Sequence, residues 1–194
     1  SASTDPYSAA AQMSNWNSQL QSTLTSVIGE ANYDVGHLFG ASGGGGNAGC
    51  IGCVCVNGQK GSGYTSPADG IPSGDNFDID YVAHELGHQF GGNHTFSHSV
   101  EGSGVNVEPG SGSTIMGYAG ITSYDVQPHS DDYFVYGSIR QIQSNMAGKI
   151  CAVRTPLAHG TPVVNVAGQT YAIPKSTPFL LTGTASDSNG DALT

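Results

Sequence analysis

His84-Glu85-Leu86-Gly87-His88-Gln89-Phe90-Gly91-Gly92-Asn93-His94 reads H-E-x-x-H-x-x-G-x-x-H, the spacing of a catalytic zinc site. On a helix, residues four apart share a face, so His84 and His88 can direct ring nitrogens at one ion. Glu85 lies one step round the helix, placed to meet a coordinated water without ligating the metal. Gly91 lets the backbone leave the helix, because glycine takes left-handed angles at little cost. That turn returns His94 as a third ligand. Three protein ligands leave the fourth position of a tetrahedral zinc open, which separates a catalytic site from a structural one. The bland alternative, a helix whose histidines are only satisfied polar groups, needs five positions to match by chance.

The flanks suit a helix. Val82, Leu86 and Phe90 recur every four residues and give it an apolar side, and Asp75, Asp78 and Asp80 favour a helix start just upstream. Residues 7–28 read as an amphipathic helix carrying Met13, Trp16, Leu20, Leu24 and Val27 at spacings of three or four. Tyr33 to Phe39 alternates as a strand, with His37 a solvated or hydrogen-bonded histidine within it. Residues 41–46, rich in glycine, read as a mobile loop without the Lys of a phosphate cradle. Cys53 to Asn57 reads as an edge strand and residues 61–76 as a loop into the zinc helix. His98 and His129 read as surface residues. A second helix is signalled from Ser130: Asp131 and Asp132 fill its first turn, Ile139, Ile142 and Met146 form its stripe, and Gly148 stops it.

With the zinc motif in place, the chain resembles the metzincin clan of zinc endopeptidases. About 22 residues past His94, Ser113-Thr114-Ile115-Met116-Gly117-Tyr118 resembles the clan's Met-turn. The resemblance implies that Met116 forms an apolar floor beneath the imidazoles. Met116-x-Tyr118 is similar to astacin-like and serralysin-like members, which implies that Tyr118 can ligate zinc or hydrogen-bond the transition state. Within the clan, the motif with Asn32-Tyr33-Asp34-Val35-Gly36-His37 and Asp78-Ile79-Asp80-Tyr81-Val82-Ala83 resembles bacterial secreted proteins of the reprolysin (adamalysin-like) group, over about residues 5–153. Thr95 departs from it, standing where reprolysins usually have aspartate. Such domains also begin with strands and a helix ahead of the segment where this chain starts. The fold implied is α+β, of the α/β/α metzincin type: a twisted mixed sheet with an active-site helix and a C-terminal helix. The edge strand beside the active helix would pair with extended peptide substrate.

Composition narrows the field. The chain has 194 residues, only 10% charged, with 29 glycines and a net charge of −10. So acidic a chain excludes a nucleic-acid binder, since no basic patch neutralises phosphates, and disfavours anionic membranes. No apolar run reaches the roughly 18 residues of a membrane span. Ser1 opens no signal peptide, so a secreted chain would have lost its leader. Cys50, Cys53, Cys55 and Cys151 permit either a thiolate metal site of poor spacing or two disulfides of an oxidising compartment, with three connectivities. The reprolysin resemblance implies Cys55–Cys151, leaving Cys50–Cys53.

Residues 1–153 are thus expected to form the catalytic domain. Past Arg154, prolines punctuate short apolar runs, and Thr184 to Leu193 resembles the opening of an immunoglobulin-like or cadherin-like module, so residues 154–194 read as a linker and truncated start of a β module. Asp187, Asn189 and Asp191 could coordinate calcium, although an Asp-Asn-Gly turn is the simpler reading. The expected protein is a secreted, monomeric, zinc-dependent endopeptidase acting on protein or peptide, with Glu85 as the base. The rival is a catalytically weak, zinc-holding, peptide-binding module.

Overall fold

The computed structural model describes residues 5–156, 158–166 and 170–192. The chain divides into two compact units, Ser1–Ala152 and Val153–Thr194. The first is α+β: helices around a small mixed sheet, as expected.

Its opening helix is shorter and more broken than the 7–28 reading. A 3-10 segment, Ala10–Asn15, kinks at Gln12 and leads into α1, Trp16–Thr23, which gives way to a π-helical turn at Leu24–Ile28. Hydroxyls loosen this end: Ser26 bonds back to the Thr23 carbonyl and Thr25 leaves for Glu30. Of the expected stripe only Trp16 and Leu20 are buried, while Val27 is 73% exposed. Trp16 meets Tyr64 edge-on with ring centroids 5.4 Å apart, which docks α1 on the sheet.

That sheet comprises β1 (Leu38–Phe39), β2 (Gly45–Asn47) and β3 (Tyr64–Ser66), in the order β1-β3-β2. β1 runs parallel and β2 antiparallel to β3. The sheet departs from the sequence reading in three places. The Tyr33–Phe39 strand shrinks to its last two residues, although the Gly36 amide still donates to Lys60. The supposed loop 61–76 contains the central strand, fully buried. The edge strand beside the active helix is β2, which begins in the glycine run, and not Cys53–Asn57. The latter segment folds as turns because its donors are spent elsewhere: the Val54 amide bonds Gln89 and the Cys55 amide bonds Asp34, while the Gly52 amide just ahead bonds His88, so that carbonyls at the end of the active helix are closed. Cys55 takes a left-handed φ of 65° there.

The active helix enters through a π-helical stretch, Asn76–Ala83, and becomes α2 at His84–Phe90. Its buried residues are His84, Glu85, Gly87, His88 and Gln89, whereas Val82, Leu86 and Phe90 are only half-buried. The polar side can face inward because its side chains meet backbone carbonyls; Gln89 Nε2 alone donates to both Gly36 and Ser62. α2 ends at Gly91, φ 115°, where a side chain would also strike Asn145.

Asn145 belongs to α3, Tyr136–Ala147, and donates to the Phe90 carbonyl. This helix starts six residues later than Ser130. Amides at the expected start are otherwise engaged: Ser130 donates to Asp80, Asp131 to the Ser113 carbonyl and Tyr133 to the Asp131 carbonyl. The Gly148 stop has right-handed angles. Cys55 pairs with Cys151 and Cys50 with Cys53, at Cα separations of 5.7 and 5.9 Å. The longer bridge spans 96 residues and constrains the unfolded chain by roughly 4–5 kcal/mol on the chain-entropy account.

The second unit holds β4 (Val163–Val166) and β5 (Gly183–Ser186), paired antiparallel with every residue exposed. Asp187 Oδ1 accepts from the Asn189 and Asp191 amides, Asn189 Oδ1 from Gly160, and Asp191 from His159. This is a self-bonded turn, and calcium gains no support from it. Leu193 lies outside the described residues.

Candidate metal centre

Each candidate ligand is held by an element already described. α2 aims His84 and His88 from one face, and the left-handed Gly91 returns the chain so that His94 meets them. Their ligating atoms all lie within 4.8 Å of one another, and among the described residues no other group of three His, Cys, Asp or Glu could hold one ion.

The rings are oriented from behind. His84 Nδ1 donates to the Ile115 carbonyl at 2.6 Å, and His88 Nδ1 to the Gly92 carbonyl at 2.8 Å. His94 Nδ1 donates to both oxygens of Glu101 at 3.0 Å. Carbonyls and carboxylates only accept, so each proton sits on Nδ1 and each Nε2 presents a lone pair. His88 Nε2 and His94 Nε2 face one another at 3.0 Å. Two lone pairs so close repel unless a cation lies between them, and tetrahedral zinc would hold ligand nitrogens about 3.4 Å apart. The donor set therefore fits zinc.

Burial keeps the two helical imidazoles neutral. His84 is lowered from 6.5 to about 3 by desolvation, then by neighbouring His88, against the Ile115 bond that opposes the shift. His88 is lowered to about 4, again by burial first and His94 second. Metal and proton compete for the same lone pair, so depressed basicity at His84 and His88 favours the metal over the proton on those two ligands. Glu85 moves the other way: burial lifts its carboxyl from 4.5 to about 7, with a backbone bond from Ala48 opposing.

Met116 is wholly buried. Its sulfur lies against Gly87 of α2, where any side chain would displace it, and near Gly92. Its carbonyl accepts from the Thr95 amide. Tyr118 lies 4.4 Å from His94 and 5.5 Å from His84 between ring centroids, and burial followed by the Glu85 charge raises its phenol to about 12. A cavity of about 570 Å³ opens on one side of Glu85 and Tyr118, bounded by β2, Asp80, His84 and Gly117–Ile121. A smaller cleft of about 270 Å³, reaching His88 and His94, opens on the other. β2 borders both. Gly46 passes so close to the Glu85 carboxyl that any Cβ would overlap it.

Several of these residues are invisible to motif reading. Glu101 follows His94 by seven on an irregular loop, and Gly46 is hidden in a glycine run. His129 is exposed but pairs with Asp80 at 3.0 Å on the cavity wall. His98 is half-buried, its ring beside Phe96 and Tyr124, and takes no part in the triad. His37 bonds Gln89 and Thr65 at 2.7 Å.

The family model described as metallo-peptidase family M12B, reprolysin-like, matches residues 1–150. No curated protein and no solved structure matches the chain.

Proposed function

The chain belongs to the reprolysin-like M12B metallopeptidase family, and from that premise we propose that it is a secreted zinc endopeptidase in which Glu85 moves the proton. The observation carrying this reading is the convergence of three imidazoles, each protonated on the far nitrogen, beside a buried carboxyl. His84, His88 and His94 would hold the metal. When bound, zinc supplies a Lewis acid that acidifies water and polarises a scissile carbonyl.

The rest falls to the protein's own groups. Glu85, raised to about 7, is poised to accept a proton from water near neutrality and return it to the departing amine. Tyr118, its ring beside those of His84 and His94, would donate from its hydroxyl to negative charge developing on the carbonyl oxygen. Substrate would lie extended in the two clefts that flank Glu85, with its backbone paired to the free edge of β2. Met116 supplies the apolar floor, inert towards the reaction.

Export is supported by the disulfides; among the described residues no helix is long and apolar enough to cross a membrane. We assign residues 1–153 to catalysis, and residues 154–194 to a β module, in keeping with the two compact units.

The test is digestion of casein by zinc-loaded protein, abolished by chelator and restored by zinc. Glu85→Gln should keep one zinc per chain and lose at least about 100-fold in kcat/KM. Zinc uptake by wild type without any hydrolysis would leave a peptide-holding module instead, and an active Glu85→Gln would remove the base assignment.

A further inference from the structure

One buried acid has no place in the mechanism above. Glu108 is 8% exposed and sits on an irregular segment that no motif singles out. Its Oε1 accepts from the amides of Ser113 and Thr114, both at 3.1 Å. Its Oε2 accepts from the Thr114 hydroxyl at 2.7 Å and from the Thr95 hydroxyl. The backbones are joined as well, the Glu108 amide donating to the Thr95 carbonyl at 2.9 Å.

The neighbours of these partners matter most. Thr95 follows His94 directly, and its own amide donates to the Met116 carbonyl. Thr114 precedes Ile115, whose carbonyl holds the Nδ1 proton of His84. A single carboxyl therefore ties the residue beside one candidate ligand to the residue beside the carbonyl that orients another. Thr95 has no acid of its own, and Glu108 reaches it from 13 residues away.

Resting on the zinc reading above, we infer that Glu108 is a positioning residue of the metal centre: it clamps the His94 return to the Ser113–Met116 turn and so sets the separation of the imidazoles. It touches neither metal nor substrate. With Glu108 replaced by alanine, four donors lose their acceptor, and the two strands of chain that frame the site are free to part.

The measurement is zinc affinity of the folded, metal-stripped full chain, by competition with a chromophoric chelator, alongside thermal melts of the same samples. Glu108→Ala should weaken zinc binding about tenfold or more, the range in which residues behind metal ligands act. Glu108→Gln should stay within about threefold of wild type, because its carbonyl can serve the two amides and its NH2 can donate to the two hydroxyls, which also accept. A melting temperature lowered with zinc affinity unchanged would make Glu108 an ordinary structural acid and overturn the inference. If Glu108→Ala does not fold, Thr95→Val decides: it keeps the shape, removes one donor, and should weaken zinc severalfold, whereas wild-type affinity would overturn the proposal. Failure of wild type itself to bind zinc would sink the function reading, a result distinct from equal affinity across the variants.

Discussion

Glu85 is a carboxyl that burial makes reluctant to ionise, and His84 and His88 are imidazoles that burial makes reluctant to protonate. In the metal-free protein these act oppositely on stability. Between pH 4.5 and about 7 the folded protein keeps a proton on Glu85 that the unfolded chain has released, so this group favours folding in acid and the benefit is lost as pH rises through about 7. Between about 3 and 6.5 the unfolded chain protonates His84 while the folded chain does not, so stability falls as pH falls. Glu85→Gln removes only the first effect. Without metal the variant should be more stable than wild type at pH 8, by roughly 1–3 kcal/mol, and close to it at pH 4. Melts in chelator at the two pH values check this, and an equal gap at both would contradict a burial penalty. At this scale the sequence told much. Helical periodicity forces His84 and His88 together whatever surrounds them, and Gly91 announces the turn to His94. Glu101 and Glu108 escaped because their partners lie across irregular loops, where no period relates sequence distance to space.

Elements were harder to read than residues. The three strands of the sheet are two or three residues long, too short for alternation to register. β2 is composed of Gly45, Gly46 and Asn47, residues with low strand propensity. Propensity therefore pointed at Cys53–Asn57, where the Val54 amide instead closes the end of α2 and the Cys55 amide bonds Asp34. Glycine in β2 has a steric reason: the strand runs over the Glu85 carboxyl with no space for a side chain. Gly46→Ala should consequently push Glu85 aside. We expect zinc content to stay at wild-type level while kcat/KM for casein falls about tenfold or more. Unchanged turnover would mean that the carboxyl tolerates displacement. The helices were legible in kind and misplaced at their ends, since Ser130 and Asp131 gave their amides to Asp80 and Ser113 rather than to a helix.

For the molecule as a whole, the α+β class followed from the zinc motif and the resemblance it brought, while the way the first unit is fastened did not. Gln89 binds α2 to two loops, and the Cys55–Cys151 bridge joins the turns at the end of α2 to the chain after α3. None of these ties involves the ion. The backs of all three imidazoles are likewise gripped by the protein. Far-UV circular dichroism should therefore be the same before and after chelation, with only the melting temperature falling as bound zinc is withdrawn; loss of helical signal would show that the scaffold depends on its ion. Small zinc fingers must fold anew each time they are loaded. A socket held from behind by ties that do not include the ion should empty and recharge without passing through a denatured chain.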